Sequence, residues 1–190
     1  MRLEHYGKII LLNGTSSSGK TSIAKELERI LDGYSYVSID YFGREFKRLH
    51  QAELVKKRPQ GALDYVVSKF HDDIARRALA RENIVVDHVL QEQVWVDDCA
   101  RKLADYEVIL VGIKCPIDVL EQREIARGDR IIGIAKYQFG RVHNNKLYDL
   151  EINTAEASPT HCAEVIRLYL QQESPSSNLT TSQKMLGQKD

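Results

Sequence analysis

Residues Ile9-Ile10-Leu11-Leu12 form an unbroken apolar run, too short for a helix and continuous where a half-exposed strand would alternate. That pattern belongs to a strand buried on both faces. Tyr36-Val37-Ser38-Ile39, Ile84-Val85-Val86 and the stretch 107–113 repeat it, and 148–154 alternates as a last strand. Between these runs the apolar spacing changes to that of helices. Ile23, Leu27, Ile30 and Leu31 share a face over 22–32, with Gly33 as a stop. Leu63, Val66, Val67, Phe70, Ile74 and Ala78 share one over 61–83, with Arg76, Arg77 and Arg81 near its C-terminal end. Pro116 suits the first turn of a helix after the fourth strand, and Ser158-Pro159 reads as an N-cap and N1 pair opening a helix to about residue 172. Strands alternating with helices predict an α/β fold: a mainly parallel sheet of about five strands with helices on both faces.

The first strand runs straight into Gly14-Thr15-Ser16-Ser17-Ser18-Gly19-Lys20-Thr21, and a helical stretch follows at once. Strand, G-x-x-x-x-G-K-T loop and helix together define a Walker A phosphate loop, and with it a P-loop NTPase fold. Its glycines free the backbone so that successive amide N–H groups converge on phosphate at a helix N-terminus. Residues 14–21 are therefore expected to bind a nucleotide, Lys20 to meet its β and γ phosphates, and Thr21 to hold Mg²⁺.

Ligands of open parallel sheets gather at the carboxyl ends of strands. That rule selects Asp40 and Asp87, each of which follows an apolar strand. Asp87 has the placement of a Walker B acid, a second Mg²⁺ ligand; its plainer alternative is a loop or capping aspartate. Asp40 sits where an acceptor hydroxyl would approach the γ-phosphate and could take its proton. The alternative there is an N-cap for the segment beginning Tyr41-Phe42. His88 is an acceptor contact or a structural histidine. Arg123, Arg127 and Arg130 fall at four- and three-residue spacing with Gly128 between the last two, which reads as nucleotide-contacting arginines at the hinge of a lid. An exposed basic helix face is the competing reading.

Leu12 to Thr21, Ser38-Ile39-Asp40, Val85-Val86-Asp87, Gly112-Ile113-Lys114-Cys115, Arg123-Glu124-Ile125-Ala126-Arg127-Gly128-Asp129-Arg130, Val142-His143 and the stretch 148–154 together resemble the chloramphenicol phosphotransferase family. The resemblance is distributed from about residue 8 to 170. It implies an ATP-dependent kinase that phosphorylates a hydroxyl of a small molecule. By that resemblance Asp40 is the catalytic base, residues 14–21 cradle the phosphates, and Arg127 and Arg130 are the lid cations, which with Lys20 of the phosphate loop are the expected catalytic charges. Tyr41 and Phe42, next to Asp40, join His88 as acceptor contacts. The expected organisation is one kinase domain over 1–172, with an acceptor-binding segment at about 41–82, a lid at about 127–145 and a disordered polar tail from 173 to 190. A metabolic kinase of the shikimate, gluconate or nucleoside-monophosphate type and a non-catalytic ATP-binding regulatory module are the alternatives.

Bulk composition narrows the partners. Lysine and arginine total 27 against 27 aspartates and glutamates, so no overall field favours nucleic acid or a membrane surface. No apolar stretch approaches the roughly 20 residues of a membrane span, and the residues after Met1 form no secretory signal, so a cytoplasmic protein is expected. Cys99, Cys115 and Cys162 are scattered and lack metal-ligand spacing, as buried thiols would be. Asn145-Lys146-Leu147-Tyr148 fails the guanine-reading pattern at its fourth position, which disfavours GTP. The stretch 42–61 is basic, with Arg44, Lys47, Arg48, Lys56, Lys57 and Arg58 against Glu45 and Glu53. It reads as a solvated helix face or as the border of a pocket for an anionic acceptor.

Overall fold

The computed structural model describes residues 6–54, 59–128, 132–172 and 179–188, leaving aside the side chains at 52, 53, 59 and 60. The elements run β1 (Ile9–Asn13), α1 (Lys20–Ile30), β2 (Tyr34–Ser38), α2 (Ile39–Leu49), α3 (Gln51–Leu54), α4 (Pro59–Leu79), β3 (Asn83–His88), α5 (Gln93–Lys102), β4 (Val108–Lys114), α6 (Ile117–Arg127), α7 (Ile134–Phe139), β5 (Leu150–Asn153), α8 (Pro159–Leu170) and α9 (Thr181–Leu186). All pairings in the five-stranded sheet are parallel, in the order β2-β3-β1-β4-β5. The apolar run of β1 thus lies at the centre, flanked by β3 and β4, and every one of its residues is buried. Because the chain leaves β1 for one half of the sheet and later fills the other, a crevice opens above the carboxyl end of β1.

Side-chain alternation divides the core in two. Ile9, Leu11, Ile84, Val86, Val108 and Leu110 face a layer containing α4, α5 and α9, where Phe70, Ile74, Trp95 and Met185 pack. Ile10, Leu12, Val85, Ile109, Val111 and Ile113 face α1 and α8, meeting Ile23, Leu27, Cys162 and Ile166. All three cysteines are free and buried. Among the described residues no helix is long and apolar enough to cross a membrane.

Several boundaries differ from the sequence reading. The second strand is Tyr34–Ser38, and Asp40 lies in the first turn of α2, not at the strand end. The long helix is Pro59–Leu79; Arg81 then adopts a left-handed φ of 66° and turns the chain into β3. The last strand is confined to Leu150–Asn153. Helices α5 and α7 were not anticipated, although Trp95, Val96, Cys99 and Ala100 bury one face of α5 at helical spacing.

The polar tail is the larger correction. Residues 173–178 lie outside the described residues, but Thr181–Leu186 form helix α9 behind a complete capping box, in which Thr180 and Gln183 satisfy each other's backbone N–H groups. Lys184 explains why so polar a segment folds. Its Nζ reaches Asp149 Oδ1 at 2.9 Å and the Val108 carbonyl at 3.0 Å, with side-chain exposures of 4% for Lys184 and 0% for Asp149. Asp149 Oδ2 also accepts the Leu110 N–H, and the Leu147 N–H bonds the Lys184 carbonyl. Met185 enters the core beside these polar contacts.

Candidate active site

The loop between β1 and α1 is shaped by its backbone. A Cβ on Gly14 would stand 2.6 Å from the Ile113 carbonyl oxygen and 2.8 Å from Ser18 Oγ, so only glycine passes there. Gly19, at φ 92°, is the N-cap of α1 and offers no side-chain acceptor, so the first amides of that helix are left for a ligand. Ser17 also has a positive φ, and its buried hydroxyl has no hydrogen-bond partner among the described residues. A cradle that excludes a Cβ, points helix-terminal amides outward and holds an orphaned hydroxyl fits the phosphates of a nucleotide.

Lys20 is 6% exposed. Its Nζ donates to the Thr15 carbonyl at 2.6 Å and lies 3.8 Å from Asp87 Oδ1. Thr21 Oγ1 donates to Asp87 Oδ2 at 2.6 Å, and the Tyr36 hydroxyl reaches the same oxygen at 3.4 Å. Burial raises the pKa of Tyr36, so its phenol is a neutral donor. A hydroxyl and a carboxylate oxygen held together beside the phosphate loop are hard oxygen ligands of the kind that could hold Mg²⁺.

A cavity of about 270 Å³ opens over this loop, lined by Ser16, Ser17, Lys20, Thr21, Arg123 and Gln138. Asp40, Asp87 and Arg127 also face it. A second cavity, of about 570 Å³, adjoins it between α1, α2 and α4; Tyr36, Tyr41, Phe42 and Phe70 contribute its aromatic lining. Thr21, Asp40 and Arg127 line both. Ser38, not Asp40, caps α2, its hydroxyl accepting the Asp40 N–H at 3.2 Å. The capping alternative for Asp40 is thereby removed.

Arg123 and Arg127 share a face of α6, and Gly128 ends that helix in the left-handed conformation at φ 65°. Arg123 is braced: its two terminal nitrogens donate to Thr154 Oγ1 at 3.1 Å and to the Thr154 carbonyl at 2.8 Å, while Thr154 Oγ1 donates to the Ser18 carbonyl. Arg130 lies outside the described residues, as do Lys56, Lys57 and Arg58.

His88 is not brought to either cavity. Alternation along β3 turns Asp87 toward α1 and therefore turns His88 into the opposite layer, where it is fully buried against Phe70. It belongs to a hydrogen-bonded chain. The Val89 N–H donates to His88 Nδ1 at 2.8 Å, so a neutral His88 carries its proton on Nε2 and donates to His71 Nε2 at 2.8 Å. His71 Nδ1 in turn donates to Asp98 Oδ2 at 2.8 Å. Burial, followed by the charges of His71 and Lys20, holds His88 well below its ordinary pKa; burial also lowers His71, against the opposing pull of Asp98.

Four further residues support the site without having been singled out from sequence. Gln138 Oε1, on α7, accepts the Ser16 N–H at 2.6 Å. Glu124, 1% exposed on α6, accepts the N–H groups of Gly133 and Ala135 and so caps α7 from a neighbouring helix. Thr154 ties Arg123 to the loop. Asn13, directly before Gly14, donates through Nδ2 to the Val142 carbonyl at 2.9 Å and to the Tyr148 hydroxyl at 2.8 Å, while its Oδ1 accepts the Leu90 N–H at 2.9 Å.

A Mycobacterium tuberculosis protein provisionally named an O-phosphotransferase is 27% identical over 177 residues, covering 82% of this chain and 78% of the relative. Among solved structures, an APS kinase of Mycobacterium tuberculosis in complex with AMPPNP and APS superposes with a TM-score of 0.66 at 17% identity, covering 88% of this chain and 99% of its own. A tunicamycin resistance protein of Deinococcus radiodurans gives a TM-score of 0.63 at 16% identity, with 87% and 96% covered. Shikimate kinase from Aquifex aeolicus gives 0.57 at 17%, with 86% and 96% covered. At such identities the likeness is one of fold, the P-loop kinase fold expected from the sequence. The family model described as chloramphenicol phosphotransferase-like protein matches residues 7–171, from the strand that carries the phosphate loop to the end of α8, and the chain belongs to that family of phosphotransferases.

Proposed function

We propose that the chain transfers the γ-phosphate of ATP to a hydroxyl group of a small molecule held in the larger cavity. The observation carrying this reading is that two cavities, one over the phosphate loop and one lined by aromatic side chains, meet at Thr21, Asp40 and Arg127. A nucleotide-binding module without transfer would not require the second cavity or a carboxylate at the junction.

In this reading the loop amides and Lys20 hold the phosphates, and Thr21 with Asp87 holds Mg²⁺, whose charge offsets that of the phosphate oxygens. Asp40 accepts the proton of the acceptor hydroxyl as its oxygen bonds to the γ-phosphorus, the bond from that phosphorus to the β–γ bridging oxygen breaks, and ADP departs. Arg127, at the hinge end of α6, supplies a planar cation to the moving phosphoryl group; Arg123, fixed by Thr154, binds the nucleotide side. Arg130, three residues beyond Arg127 in sequence, joins them as a lid cation. Tyr41 and Phe42 are the acceptor contacts, and His88 is withdrawn from that role. A consumer of ATP of this kind belongs in the cytoplasm.

The test is a panel of hydroxylated antibiotics and metabolites incubated with Mg·ATP and read by mass for the gain of one phosphate group. Lys20→Ala, which removes one preorganised cation from the phosphates, is expected to lower transfer at least about a hundredfold. Undiminished transfer by folded Lys20→Ala protein, or transfer that persists in excess chelator, refutes this arrangement.

A further inference from the structure

The charged groups of the larger cavity are not all equivalent. Of its acids, Glu45 is bonded by Arg48 at 2.9 Å and Asp73 by Arg76 and Arg77, so each is already offset by guanidinium groups beside it. Arg77 is spent in the same way, between Asp73 and Glu82. Asp40 and Arg127 belong to the reacting junction. Two cations remain, Lys25 on the outer face of α1 and Arg44 on α2; both are exposed, both line this cavity, and neither side chain makes an ion pair or hydrogen bond among the described residues. Lys25 stands on α1 and Arg44 on α2, two of the helices that border the space. Tyr41, 64% exposed, and the half-buried Phe42 lie between Arg44 and Asp40 in sequence and line the same space.

From this asymmetry we infer that the acceptor is an anionic alcohol: a flat or apolar body against Tyr41 and Phe42, a hydroxyl at Asp40, and a carboxylate or phosphate group at Lys25 and Arg44. The inference rests on the two-cavity reading above and narrows it to a substrate class. A neutral acceptor would leave both cations to solvent and gain nothing from them. An anion meeting an arginine fork from α2 and an ammonium from α1 is held by charge-assisted hydrogen bonds at the end remote from the reacting oxygen, which fixes the hydroxyl in register with Asp40.

The experiment uses the full chain saturated with Mg²⁺ and AMP-PNP and three probes of one shape: 4-(hydroxymethyl)benzoate, 4-(hydroxymethyl)phenylphosphonate and the neutral 4-(hydroxymethyl)benzamide. Binding is read by ligand-observed NMR at two salt concentrations. At least one anionic probe is expected to bind about fivefold or more tighter than the amide, with the better of the two distinguishing carboxylate from phosphate recognition. Lys25→Ala and Arg44→Ala are each expected to cost about threefold, the scale of partly exposed ion pairs, and the double variant should abolish the preference. Added salt should shrink it. Equal or tighter binding of the amide, a preference that survives the double variant, or failure of all three probes to bind a protein that binds AMP-PNP overturns the anionic acceptor and leaves the kinase reading standing. Failure to bind AMP-PNP itself overturns both.

Discussion

Lys184→Met isolates what the C-terminal helix contributes. Methionine keeps the length and apolar stem of lysine and removes the ammonium that lies 2.9 Å from the fully buried Asp149 carboxylate. At that separation and an effective dielectric near 20, the gross attraction is about 6 kcal/mol. The desolvation of both groups offsets much of that in the intact pair, but deleting one partner leaves the carboxylate buried without its counter-charge, a loss of about 3–5 kcal/mol. Against a total stability of about 5–15 kcal/mol this is a large fraction. It corresponds to a fall in Tm of roughly 6–20 °C for a domain of this size. Urea unfolding followed by the fluorescence of Trp95, the single tryptophan and a member of the same core layer as Met185, measures it directly. Lys184→Met/Asp149→Asn should recover part of the loss, because the neutral amide can still accept the Leu110 N–H. A loss below about 1 kcal/mol for Lys184→Met, or strictly additive losses in the double-mutant cycle, would refute a coupled buried pair.

Three further outcomes are expected. Asp40→Asn should lower phosphate transfer about a hundredfold or more while Tm and Mg·ATP affinity hold, since Ser38 supplies the helix cap; near-full transfer would dismiss the base. Arg127→Lys should depress kcat more than ATP affinity, because lysine keeps the charge and loses the fork; steady-state kinetics showing only a raised ATP dissociation constant would make Arg127 a ground-state binder. Burial holds His71 and His88 low, and burial with Lys114 and Lys146 brings His143 to about 4. The unfolded chain therefore binds protons that the folded chain refuses. Stability is full above about pH 6.5 and should decline as pH falls below it, by up to about 1.4 kcal/mol per pH unit for each histidine. Urea midpoints that stay level from pH 6.5 to 5 would show the histidines titrating alike in both states.

What could be read in advance was local. The phosphate loop is a contiguous set of backbone constraints, so Gly14 to Thr21 announce it without any partner being known. The rule that ligands collect at strand ends picked out Asp40 and Asp87, and both line the cavity over the loop, although Asp40 stands in the first turn of α2. The fate of His88 was also available, because a strand that directs Asp87 toward the loop must direct its neighbour away. The roles of Glu124, Gln138 and Thr154 were not legible: Gln138 and Thr154 act on backbone groups far along the chain, and Glu124 on the next helix, none of which is fixed by the residues beside them. The tail misled for a related reason: Thr180 and Gln183 stand at capping-box spacing, but only the distant Asp149 makes a buried lysine tolerable in α9. Polar composition signals disorder only when no such partner waits elsewhere in the fold.

Asn13 uses one amide to hold three distant segments at the threshold of the phosphate loop: the exit of β3 at Leu90, the turn after α7 at Val142, and the Tyr148 hydroxyl before β5. Its donors and acceptor are all engaged, with polarities that an aspartate would reverse at Val142 and a leucine would leave bare. In a saturation scan this position should tolerate almost nothing, as Lys20 should, yet the two would part company on readout. Substitutions at Lys20 should give abundant, inactive protein, whereas those at Asn13 should thin the protein itself from the cell. A column of the scan that looks catalytic by activity alone would be revealed, by abundance, as the knot where the turn after α7, the loop and the sheet are tied.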